Sequence, residues 1–75
     1  MTFEMVRKII CEQFSVRKEQ VTLSSSISKD FNEDWLDWEE IAMKAEEAFD
    51  IEISDEVLDS FATVGDLVSY IDSKL

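Results

Sequence analysis

Apolar residues recur at helical intervals in four segments of this 75-residue chain. Near the N-terminus, Phe3, Val6, Ile9, Ile10 and Phe14 share one helix face. They predict a first helix reaching about Phe14, with Thr2 as its cap and Cys11 as a small core or boundary residue. A long loop follows through Val16, Val21, Leu23 and Ile27, and Ser24-Ser25-Ser26 at its centre favours turns. A second helix is expected from about Trp35 to Phe49. Asp34 suits its N-cap, and Asp37 sits where a carboxylate meets the positive helix end.

Within that second helix, Ile41, Ala45, Ala48 and Phe49 form the expected inward stripe, with Glu39, Glu40, Glu46 and Glu47 largely off it. Ser54 is placed to cap a short third helix through Glu56-Val57-Leu58. Thr63 caps a fourth helix, with Asp66 at the capping-box position and Val64, Leu67, Val68 and Ile71 facing inward. Gly65, early in that helix, is mildly unfavourable there. The pattern predicts one all-α domain over residues 1–75, a four-helix bundle with a long first loop and a short third helix.

Charge changes the picture more than overall composition does. The formal net charge is −11, and residues 33–56 hold eleven acidic side chains against one cation, Lys44. Residues 1–32 are near balance, with five basic and four acidic side chains. Nucleic acid is therefore a disfavoured partner, because its phosphates would be repelled. The basic surface of another protein would be steered toward the acidic segment. No apolar run reaches the roughly 18 residues that suggest a membrane span, and the N-terminus lacks signal-peptide organisation. With one cysteine and no histidine, the chain can form no internal disulfide, and no His-dependent catalysis or zinc site is expected. A cytoplasmic setting follows as the expectation.

A calcium loop fails on inspection. Asp30, Asn32 and Asp34 match its first, third and fifth positions, but Trp35 stands at the glycine and Ile41 at the closing glutamate. No paired nucleophile or phosphate loop is present either, so the chain is not expected to be an enzyme and no cofactor is assigned to it.

Three stretches, "VRKIICEQFSVRKEQVTLSSSI", "AEEAFDIEISDEV" and "TVGDLVSYI", together resemble the acyl carrier protein family over essentially the whole chain. The resemblance implies a phosphopantetheine-bearing serine in an Asp-Ser-Leu motif at the start of the second helix. Here the matching residues are Asp34-Trp35-Leu36, and an indole has no hydroxyl to esterify. Phe31-Asn32 stands where the family favours Leu-Gly. Trp38 and Glu39 replace a small polar residue and Val, so the changes read as natural divergence rather than one deliberate replacement. Ser60, in Asp59-Ser60-Phe61, echoes the motif without a helix N-terminus to present it, and Ser24 to Ser26 lack the motif.

What the resemblance carries over is a recognition surface. Its matching positions are Leu36, Asp37, Glu40, Met43, Glu46, Glu47 and Ile53, joined by Trp35 and Trp38 as candidate aromatic anchors. Trp35 has three readings: an exposed anchor, a plug folded between the helices, or a neutral replacement. Trp38, three residues on, would make a paired patch with it. The functional expectation is a non-carrier homologue that binds the basic surface of a biosynthetic synthase or transferase. The alternatives are an acyl carrier with an atypical attachment residue, or a bundle that binds lipid without a covalent bond.

Overall fold

The computed structural model describes residues 2–26 and 35–75, with Trp35 described through its backbone alone. Among the described residues four helices appear in chain order: α1 (Thr2–Phe14), α2 (Trp35–Phe49), α3 (Asp55–Ser60) and α4 (Val64–Lys74). Among the described residues the only extended pairing is an isolated antiparallel bridge between Ser26 and Thr63. The bundle is all-α, with a long first connection and a short third helix. The expected Asp34 cap, Ile27, the Phe31-Asn32 pair and the calcium-loop positions Asp30, Asn32 and Asp34 lie outside the described residues.

One core joins all four helices. Val6, Ile9 and Ile10 of α1 meet Trp38, Ile41, Ala42 and Ala45 of α2, Leu58 of α3, and Val64, Leu67, Val68 and Ile71 of α4. Val21 from the first loop and Ile53 from the α2–α3 link complete it. Phe3, Cys11 and Phe14 are half-buried at its edge. The inward stripe of α2 differs from expectation at one position: Ala48 is exposed, and Trp38 and Ala42 take the missing places. At 3.6 residues per turn, 38, 41, 42, 45 and 49 cluster about one direction, and Ala48 falls to its side.

Caps account for several element boundaries. Ser54 accepts from the Val57 N–H at the start of α3. Thr63 accepts from the Asp66 N–H, and Asp66 accepts in return from the Thr63 and Ala62 N–H groups at 3.1 and 2.8 Å, a reciprocal capping box. Thr2 does not cap α1, because the helix already includes it. Its hydroxyl donates to Asp72 and ties α1 to α4. At the end of α2, Asp50 takes a left-handed conformation (φ 55°) and the Ile51 N–H reaches back to the Glu46 carbonyl at 3.2 Å. That six-to-one bond closes the helix in a Schellman-type turn.

The first loop contains a short 3₁₀ turn, Lys18–Gln20, which the apolar pattern does not reveal. The Gln20 side chain holds it by accepting from the Arg17 N–H at 2.9 Å. Beyond it, the loop lies along the start of α4: the Val64 N–H donates to the Ser25 carbonyl at 3.0 Å and the Gly65 N–H to the Leu23 carbonyl at 2.8 Å. Buried Ser25 is itself satisfied, accepting from the Thr22 N–H and donating to the Gln20 carbonyl. Gly65 has its reason here. A Cβ at this position would stand 2.9 Å from the Leu23 carbonyl oxygen, closer than real Cβ contacts come.

Two outcomes follow. Helix propensity alone has Gly65→Ala stabilising by about 1 kcal/mol. The close loop backbone reverses that sign, and we expect a net destabilisation of about 1–3 kcal/mol in urea unfolding, the usual range for overpacking. The N–H groups of Ala62 and then Thr63 hold the Asp66 pKa below its ordinary 3.8. A depressed folded-state pKa contributes stability that is present above the unfolded value and lost as pH falls through the folded one. The melting-temperature gap between the wild type and Asp66→Asn should be full near neutral pH and shrink below about pH 3.8.

Candidate interaction face on the second helix

Helix α2 has two faces of opposite character. Trp38 is 2% exposed and packs edge-on against Phe14 of α1, ring centroids 5.5 Å apart. Opposite it, Leu36 is 66% exposed and Met43 60%, although both are large and apolar. Glu40 and Glu47 are also exposed, and these four fall within roughly 60° of one another on a wheel of 3.6 residues per turn. Two apolar side chains about two turns apart, with a carboxylate beside each, make an outward stripe along the helix.

The sequence-derived candidates therefore separate. Leu36, Glu40, Met43 and Glu47 come together on this face. Trp38 does not: its burial removes it as a surface anchor and removes the exposed aromatic pair expected from its spacing to Trp35. Ile53, 7% exposed, is likewise a core residue. Each reversal has the same cause: an apolar side chain that completes the interior is worth more there than in water, about 25 cal/mol for each Å² buried. The Trp35 side chain lies outside the described residues.

Glu46 and Asp37 are half-buried rather than open. The Glu46 carboxylate accepts from the Ile53 N–H at 2.7 Å, so its charge is engaged in closing the α2–α3 link. Glu40 accepts at 3.2 Å from Gln13 of α1, whose own amide oxygen accepts from Lys44 at 2.8 Å. That short polar chain orients Glu40 while leaving it at the surface. Neither role is visible in spacing, because each depends on a partner seven or more residues away.

Among the described residues, no cluster of metal-ligating side chains occurs, and no helix is long and apolar enough to cross a membrane. The described face has no nucleophile paired with a base. What it offers is burial for an apolar partner surface and carboxylates for cations around it.

Known proteins share both the sequence pattern and the fold. A family model described as a phosphopantetheine attachment site matches residues 4–71. The acyl carrier protein from Enterococcus faecalis, in a study of its high thermal stability, is 36% identical; the match covers 99% of this chain and 94% of that one, with a TM-score of 0.83. A putative acyl carrier protein from Anaplasma phagocytophilum, solved in solution, is 35% identical over 96% of this chain and 85% of that one, with a TM-score of 0.85.

The two faces of α2 should respond differently to truncation. Trp38→Ala should cost about 3–5 kcal/mol in chemical denaturation, the range for deleting a buried large aromatic. Leu36→Ala and Met43→Ala should each stay within about 0.5 kcal/mol of the wild type.

Proposed function

Because this chain belongs to the phosphopantetheine-attachment family of acyl carrier proteins, we propose that it is a member that has given up carriage and kept recognition. It acts by binding the basic surface of another protein, in this reading an enzyme of fatty-acid, polyketide or related biosynthesis in the cytoplasm. The observation that carries the proposal is the outward stripe of α2, where exposed Leu36 and Met43 alternate with Glu40 and Glu47. An apolar surface of this kind on a charged helix supports a partner that covers the leucine and methionine and pairs with the acids.

The loss of carriage rests on Trp35. The family resemblance aligns it with the attachment serine, and an indole offers an N–H donor but no hydroxyl to form the phosphodiester. Regulation, scaffolding or stabilisation of the partner then replaces acyl transfer as the role. The acids steer the encounter, and the apolar pair slows dissociation once water is expelled.

One measurement separates this reading from that of a carrier with an unusual attachment residue, and a second tests the docking face itself. Incubation with coenzyme A and a broad-specificity phosphopantetheinyl transferase should leave the intact mass unchanged; a gain mapped to any serine would sink the proposal. Trp35→Ser serves as the positive control and is expected to gain the group. Separately, Glu40→Lys with Glu47→Lys should abolish recovery of the partner in a pull-down, and unchanged recovery would remove α2 from the interaction.

A further inference from the structure

A second surface, richer in cations than in acids, lies between α1 and the first loop. Four of the seven cations, Arg7, Lys8, Arg17 and Lys18, belong to α1 or to the 3₁₀ turn and its cap. Arg7 and Lys18 line a groove of about 550 Å³ between α1 and the loop, together with Phe3, Val21, Leu23 and one acid, Glu19. Phe3 and Arg7 are one turn apart on α1, and the Arg7 guanidinium lies over the Phe3 ring at 5.2 Å, which holds the cation at the groove's edge.

Leu23 is the telling residue. Its side chain is 52% exposed, yet its carbonyl is held by the Gly65 N–H at 2.8 Å, and two residues on the Ser25 carbonyl is held by the Val64 N–H. The leucine is thus presented to solvent by a backbone fastened to α4. A large apolar side chain held in that way, beside two cations, is pre-organised for contact: little ordering entropy remains to be lost on binding.

We propose that this groove is a docking surface for an acidic protein segment carrying an apolar side chain. Charge complementarity selects that occupant. With a net charge of −11, the protein repels anionic partners in general, and Arg7 and Lys18 supply a local exception. The apolar residue of the segment sits against Leu23, Val21 and Phe3, and its carboxylates pair with Arg7 and Lys18. Since α2 offers acids and this groove offers cations, the protein can hold two partners of opposite charge at once.

The test uses a fluorescein-labelled peptide, EELEDLFEE, and its basic counterpart KKLKKLFKK, with polarisation titrations and amide chemical shifts. The acidic peptide should bind, shift Phe3 and Leu23, and weaken as salt is raised. Arg7→Glu with Lys18→Glu should reduce its affinity by about tenfold or more, as should Leu23→Ser, with circular dichroism confirming the fold. Glu47→Lys on α2 should leave the acidic peptide unaffected and weaken the basic one, so the two surfaces fail independently. The proposal is overturned by absent binding, by binding that the groove substitutions do not alter, or by wild-type self-association that those substitutions abolish. The last outcome would mean that a second copy occupies the groove.

Discussion

The N–H groups at the start of α4 have no partner within the helix, and the way they are satisfied organises much of the molecule. Asp66 N–H bonds to the Thr63 hydroxyl, whereas Val64 and Gly65 reach across to carbonyls of the first loop. Those two bonds convert a long connection into a fastened segment, and they require α4 and the loop to approach so closely that only glycine fits at position 65. The approach places Val21 in the core and buries Ser25, whose hydroxyl is then satisfied locally. It also leaves Leu23 facing outward from a fixed backbone.

On α2, charge and burial divide the labour. The inward face spends a tryptophan on packing between α1 and the other helices, and this sets how closely α2 approaches Phe14. The outward face spends less of its apolar surface on the fold, since Leu36 and Met43 remain largely in water. Concentrating carboxylates here costs little in the folded state, because high-dielectric solvent screens them. The same charges gain effect when a basic surface arrives and excludes that solvent. In the proposed function, recognition therefore persists on one face of α2 while the residue at its first turn changes.

Much of the fold was legible in the chain. Period-3.6 apolar runs located all four helices, and Thr63 with Asp66 announced the start of α4 because a capping box is a purely local device. Ser54 did the same for α3. The candidate face was legible in part. Leu36, Glu40, Met43 and Glu47, which the family resemblance singles out, share the outward direction; helical spacing puts Trp38 on the inward side with Ile41, Ala42 and Ala45, although its chemistry suits a surface anchor as well. A tryptophan suits either an interface or a core, and which one it fills depends on what stands opposite it. The 3₁₀ turn escaped notice because three polar residues carry no periodic signal.

Local chemistry in the sequence determined where the helices begin, which faces are apolar and where the negative charge gathers, since each depends on neighbours within about one turn. Tertiary structure alone decided the assignments that need a distant partner. Gly65 is favourable because a loop more than forty residues earlier in the chain crosses it. Glu46 serves the α2–α3 link because the Ile53 amide folds back to it. The ring that buried Trp38 meets edge-on is Phe14 of α1. Close packing of surfaces far apart in sequence settled those roles, and no reading of adjacent residues contains that information.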